Sequence, residues 1–134
     1  MAVPGAWSIT LPANRGSVGT SAPLIQWTAA SGAVTYTITI QEETAPGSET
    51  FGSPGRTIAW SLIAGTSLQL PGVPAVDAGG SGGYLRNGIR HVLYGIARNA
   101  DGDTGDTTPD TDVWDSNSFT TRFGGRSRSR ARSR

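Results

Sequence analysis

Residues 85–102, LRNGIRHVLYGIARNADG, are the stretch that decides the fold. The Asn87-Gly88 pair near its start favours a tight turn, and a second group of turn residues closes it at positions 99–102. Between the turns lies the least interrupted apolar run of the chain, rich in Val, Ile, Leu, Tyr and Ala. Such a composition favours a strand. The stretch therefore predicts a central strand against which the others pair.

Six other segments alternate apolar and polar residues with the period of two that is typical of a half-buried strand. The cleanest runs through Tyr36, Ile38 and Ile40, with threonines between them. Short alternating strands in one small domain predict an all-β chain, folded as a seven-stranded antiparallel two-sheet sandwich. The six segments contain Trp7 to Leu11, Ile25 and Trp27, Val34 to Gln41, Thr57 to Leu62, Leu68 and Leu70, and Phe119 to Phe123.

Polar, turn-rich stretches separate these segments. They are predicted to be loops at residues 13–22, 42–55, 72–84 and 101–112, and the glycines of 72–84 are typical of a flexible insertion. The whole chain has 134 residues with 19 Gly and 8 Pro, which suits one turn-rich domain. It has no cysteine, which excludes a disulfide framework, a thiolate metal site and a cysteine nucleophile.

The charge divides the chain into two parts. Residues 1–123 hold six arginines against all ten acidic residues, for a net charge of −4. Residues 124–134 begin with Gly-Gly and continue as RSRSRARSR, with a charge of +5. We therefore predict a folded domain over 1–123 and a hinged basic tail over 124–134, disordered alone or docked on a partner. The chain shows no signal peptide and no apolar run long enough for membrane insertion.

Several short marks, in this order, resemble a fibronectin type III domain of the bacterial or phage style, an immunoglobulin-like β-sandwich. The resemblance implies a structural protein that makes protein–protein interactions in an extracellular location, on a cell surface or on a virion. It implies no catalysis. The marks are Trp27, Ser31-Gly32-Ala33 before Tyr36-x-Ile38-x-Ile40, Leu85-x-Asn87-Gly88, Ala97-x-Asn99-x-x-Gly102 and Phe119-Thr120-Thr121.

His91 stands where that family usually has a tyrosine whose hydroxyl ties the corner before the strand. The resemblance thus implies that a ring nitrogen of His91 makes the corner hydrogen bond. A catalytic histidine would instead need an accessible cleft beside an activated serine. Alternation places His91 on the inward face with Leu93 and Ala97, which favours a structural histidine and a chain that is not an enzyme.

The other face of the same strand carries Val92, Tyr94 and Ile96. A half-buried strand should be polar on its outer face, yet this one is apolar on both. We expect either a partner on this face or cover from the 73–84 insertion, and we favour the partner.

An acidic stretch follows, beginning with Asp101, Asp103 and Asp106. Closely spaced aspartates are typical calcium ligands, and these three are the metal candidates of the chain. The pattern does not continue as a calcium-binding loop, so we favour a solvated loop with Asx-turns and no bound cofactor.

The tail supplies the second group of partner-binding candidates: Arg126, Arg128, Arg130, Arg132 and Arg134. We predict that it pairs with carboxylates on copies of the same chain or on a larger assembly. Its alternative role is non-specific association with nucleic acid or another polyanion. A second alternative is a carbohydrate-binding accessory module, which requires Trp7, Trp60 or Trp114 to be exposed as a platform.

Overall fold

The computed structural model describes residues 2–13, 16–44, 57–77, 82–106 and 118–123. These ranges contain strands and turns but no helix, and no segment in them qualifies as a membrane-spanning helix. The all-β prediction is confirmed. The strands in the described ranges are β1 (Ile9–Leu11), β2 (Gly16–Val18), β3 (Leu24–Trp27), β4 (Thr35–Glu42), β5 (Thr57–Ile63), β6 (Ser67–Gln69), β7 (Val76–Asp77), β8 (Arg90–Asn99), β9 (Gly102–Gly105) and β10 (Ser118–Thr121).

The strands form two sheets, consistent with a β-sandwich. The smaller sheet has the order β1-β3-β6, and the larger one has seven strands in the order β2-β10-β8-β4-β5-β7, with β9 also beside β8. The predicted central strand is β8, which pairs with β4 over eight residues on one side. Its other edge is shared by β10 near Arg90 and by β9 near Asn99.

All seven predicted segments contain a strand, but the count of seven and the wholly antiparallel arrangement are wrong. Three more strands, β2, β7 and β9, lie in segments that were predicted to be loops. They have two to four residues, and backbone hydrogen bonding to a neighbouring edge holds them without an apolar alternation. In addition, β2 runs parallel to β10.

Two loop predictions also need correction at their ends. Glu42 closes β4 and its side chain is buried, and Glu43 is buried as well, so the exposed loop does not begin at position 42. The segment after residue 72 is not wholly an insertion, because β7 pairs with β5 at Ala59 and Ile58.

The core lies between the sheets and contains an aromatic cluster. The rings of Trp7 and Tyr36 meet edge to face with centroids 5.1 Å apart, and Trp27 packs against both. Trp7 lies just before β1, and its indole N–H donates to Thr104 O at 2.9 Å. A side chain that precedes the first strand therefore packs under β8 and β9 at the opposite sheet.

Candidate functional site

The three outward side chains of β8 differ in how far they are exposed to solvent. Val92 is only 6% exposed, Ile96 is half-buried, and Tyr94 is 39% exposed. The strand register places Tyr94 beside Thr39, which in turn lies beside Ala59. Tyr94 is thus the side chain of the three that is most available to a partner.

The alternative explanation for this face was cover by the 73–84 segment. Val76 and Asp77 of that segment form β7, at the far edge of the sheet beyond β4 and β5. There Val76 pairs with Ala59 and continues the row that Tyr94 and Thr39 begin. These two residues therefore widen the outer face of the large sheet.

His91 lies on the inward face, as predicted, with a side chain that is fully buried. Its ring stacks on Phe119 of β10, with centroids 5.0 Å apart and planes 10° from parallel. Neither ring nitrogen hydrogen-bonds to any described residue, which corrects the expectation of a corner hydrogen bond from His91. Its burial also separates this imidazole from any substrate in solvent.

The buried carboxylate of Glu42 lies close to His91. Oε2 of Glu42 lies 3.6 Å from His91 Nε2, and Oε1 accepts from Arg86 Nε at 3.0 Å. Arg86 Nη2 also lies 2.9 Å from Oε1, while the rest of its side chain reaches solvent. A buried carboxylate is costly unless it is paired and hydrogen-bonded, so Arg86 compensates the charge of Glu42.

The corner that His91 was expected to tie is tied by Thr121 of β10. Thr121 Oγ1 donates to Arg86 O at 2.5 Å, and the backbone N–H of Gly88 donates to Thr121 O at 3.0 Å. A third hydrogen bond joins the same two segments: the N–H of Phe123 donates to Asn87 Oδ1 at 2.7 Å. The Asn87-Gly88 turn is therefore fastened to the last strand by residues that alternation alone does not single out.

The three calcium candidates serve separate structural contacts. Asp101 N donates to Asn99 Oδ1 in an Asx-turn, and the Asp103 carboxylate lies 3.4 Å from Arg98 Nη1. Asp106 Oδ1 accepts from Gly95 N at 3.0 Å. In the described ranges, no group of three or more His, Asp or Glu side chains is arranged to hold a metal ion.

Two further sets of candidates have different outcomes. Trp7 and Trp60 are both buried, so neither forms the exposed platform that a carbohydrate-binding module needs. Trp114 lies outside the described residues. The same is true of the tail arginines Arg126, Arg128, Arg130, Arg132 and Arg134.

Comparisons with known proteins add no relative. No protein-family model matches the chain, and neither a curated protein nor a solved structure matches it. Its function must therefore be inferred from the strand order and the contacts.

Proposed function

We propose that this chain is a fibronectin-III-like structural and interaction module without enzymatic activity, used in a surface or virion assembly. The strand order supports this proposal. β1, β3 and β6 form one sheet, and β10, β8, β4 and β5 lie side by side in the other, as expected of an immunoglobulin-like sandwich. These seven strands are the seven that the sequence predicts.

The contacts between the family's marks support it further. Asn99, which ends β8, donates from Nδ2 to the carbonyl of Gly32 in the turn before β4. Thr121, on the last strand, accepts the N–H of Gly88 at the turn before β8. Residues that are far apart in sequence and that carry the resemblance thus meet at the two ends of the sandwich.

The observation that carries the interaction role is Tyr94. It lies at the centre of the large sheet, on the longest strand, with both neighbouring β4 threonines half-buried around it. Exposed tyrosines supply large contact area with little loss of conformational entropy, and they are enriched at protein interfaces. We propose that another copy, or another protein of the assembly, packs on this face.

The basic tail supplies the second contact in this proposal. Arginines pair well with carboxylates, and the domain to which the tail is attached is acidic overall. A tail that reaches a neighbour would add ionic contacts to the packing at Tyr94. By the resemblance, we place such an assembly outside the cell, on a cell surface or on a virion.

Association of the tail with a polyanion is the alternative that a specific observation favours. Five arginines with no acidic residue among them can neutralise several phosphates. The carbohydrate alternative now depends on Trp114 alone, because Trp7 and Trp60 are buried.

The deciding experiment measures mass by light scattering for the full chain, for residues 1–123 and for Tyr94→Ser. Tyr84→Ser is the matched control, since Tyr84 is similarly exposed but lies in the loop before β8. We expect the full chain to associate and Tyr94→Ser to weaken association, while Tyr84→Ser leaves it unchanged. A full chain that stays monomeric at high concentration would refute the assembly role. Salt-sensitive binding to single-stranded DNA that is lost in residues 1–123 would favour the polyanion role.

A further inference from the structure

The turn before β8 contains a pair of residues that can react with each other. Of the asparagines in the chain, Asn87 alone precedes a glycine. Because glycine has no side chain to shield its backbone nitrogen, this nitrogen can attack the side-chain amide of the asparagine before it. Both Asn87 and Gly88 are exposed, and Gly88 has a φ of 80°. Solvent water therefore has access to the pair.

The last strand holds both of the groups that would react. The nitrogen that would attack is that of Gly88, and its N–H donates to Thr121 O at 3.0 Å. The amide that would be attacked is that of Asn87, and its Oδ1 accepts the N–H of Phe123 at 2.7 Å. Attack requires the nitrogen to lose its proton and to face the amide carbon at close range. While these two hydrogen bonds persist, Gly88 keeps its proton and the Asn87 side chain stays directed at Phe123.

From these contacts we propose that Asn87 is a self-modification site, which deamidates through a cyclic imide at a rate that the attachment of β10 controls. In the first step, Gly88 N forms a bond to Asn87 Cγ and gives up its proton. The bond from Cγ to Nδ2 breaks, and Nδ2 takes up that proton and leaves as ammonia. In the second step, water adds to one of the two ring carbonyls and opens the imide, which leaves aspartate or isoaspartate at position 87.

The isoaspartate product changes the backbone of the turn. Its main chain passes through the former side chain, so one more carbon separates position 87 from Gly88. The turn then no longer matches the spacing of Thr121 O and the Phe123 N–H, its two partners in the unmodified chain. Conversion therefore loosens the attachment of β10, the strand that leads into the basic tail. An opening of the last strand is thus recorded as a lasting covalent change.

Mass spectrometry of the full chain, incubated in mildly alkaline buffer with and without urea, tests the proposal. Conversion adds about 1 Da to the peptide that contains Asn87, and chromatography separates isoaspartate from aspartate. Asn99 is the internal reference, because the residue after it is Ala100, whose methyl group hinders attack. We expect Asn87 to convert faster than Asn99 in urea. In the folded chain it should convert at least about tenfold more slowly than in urea, since two hydrogen bonds must open first.

Two variants at Phe123 separate the hydrogen bond from the side chain. Phe123→Pro removes the N–H that Asn87 Oδ1 accepts, so it should speed conversion in the folded chain several-fold. Phe123→Ala keeps the N–H and should convert at nearly the rate of the unchanged protein.

Two results would overturn the proposal. Equal rates of Asn87 conversion with and without urea would show that β10 does not control the reaction, even if Phe123→Pro fails to fold. An Asn87 that converts no faster than Asn99 in urea would show that the pair is not a modification site. The reaction takes place within one chain, so its outcome is independent of whether the chain associates in light scattering.

Discussion

The side-chain amide of Asn99 donates to the carbonyl of Gly32 at 3.0 Å, joining the end of β8 to the turn that precedes β4. The same Nδ2 donates to Ala2 O, and Oδ1 accepts the N–H groups of Asp101 and Gly102. One side chain therefore joins the N-terminal segment, the turn before β4 and the turn after β8 at the same end of the sandwich.

Replacing Asn99 should destabilise the fold, and two variants separate the contribution of its Nδ2 donor bonds from that of its Oδ1 acceptor bonds. Asn99→Ala loses every side-chain hydrogen bond and should lower the free energy of unfolding by about 1–3 kcal/mol. Asn99→Asp keeps the acceptor for Asp101 N but places a carboxylate oxygen against the carbonyl oxygens of Gly32 and Ala2, so its cost should be at least as large. Urea unfolding measures both. A cost for Asn99→Asp well below that of Asn99→Ala would mean that the contacts of Nδ2 with the two carbonyls contribute little.

Gly95 is predicted to be irreplaceable because Trp7 fills the space that a Cβ would occupy. A Cβ there would lie 2.6 Å from Trp7 Cη2 and 2.9 Å from Ile38 Cδ1. Gly95→Ala should therefore lower the free energy of unfolding by about 3 kcal/mol through overpacking. Gly105→Ala is the control, since its Cβ would meet nothing closer than 3.9 Å. If the two alanines cost the same in urea unfolding, close packing of Trp7 is not the cause.

Thr121 is predicted to hold the corner before β8. Thr121→Val keeps the shape of the side chain but removes the hydroxyl that donates to Arg86 O. It should cost about 1–3 kcal/mol, because the partly buried carbonyl of Arg86 loses this donor. Thr120→Val, one residue earlier on the half-buried outer face, should cost less than half as much in the same urea experiment. An equal cost at Thr120 would contradict the corner assignment.

The Glu42 and Arg86 pair should show strong coupling. Arg86→Met removes the guanidinium from a fully buried carboxylate and should cost more than Glu42→Gln, which removes the charge itself. A double-mutant cycle in urea should give a coupling energy of about 1–3 kcal/mol. A coupling energy near zero would mean that the exposed Arg86 does not compensate Glu42.

Leu62 offers a stabilising change. It sits at φ 57° in the irregular part of β5, and its side chain is 80% exposed. Left-handed backbone costs an L-residue about 1–2 kcal/mol, and here little burial offsets it. Leu62→Gly should therefore raise the midpoint of urea unfolding, whereas Leu62→Ala keeps the strain and should not. A lower midpoint for Leu62→Gly than for Leu62→Ala would show that the backbone is not strained.

Much of the sheet framework follows from the sequence. In β4, alternating isoleucines and threonines predict both the strand and its buried face, which the structure confirms. In β8, two turns bound an apolar run, and this pattern identifies the strand that pairs most widely. These predictions succeed because the period of two is imposed by one buried face.

The rest depends on contacts that have no local pattern. Nothing around Glu42 distinguishes a buried carboxylate from a polar loop, because its partner Arg86 lies 44 positions away. The parallel pairing of β2 with β10 is equally invisible, since Gly16 to Val18 carries no alternation. Likewise, the predicted hydrogen bond of His91 is made by Thr121, which the sequence offers only as one threonine among many. At the candidate site, the sequence identifies the face of β8 but not that Val92 is buried and Tyr94 is exposed.

The divided edge of β8 has a consequence for engineering. β9 ends at Gly105 beside Ile96, the following Asp106 donates its N–H to Gly95 O, and β10 begins beside Val92. The chain between them thus leaves and returns at points about 10 Å apart on one strand. Closure entropy grows slowly with loop length, each doubling costing about 0.6 kcal/mol. Replacing the chain between Asp106 and Ser118 by foreign sequences of varied length should therefore cost little closure entropy, because the two ends stay fixed on β8.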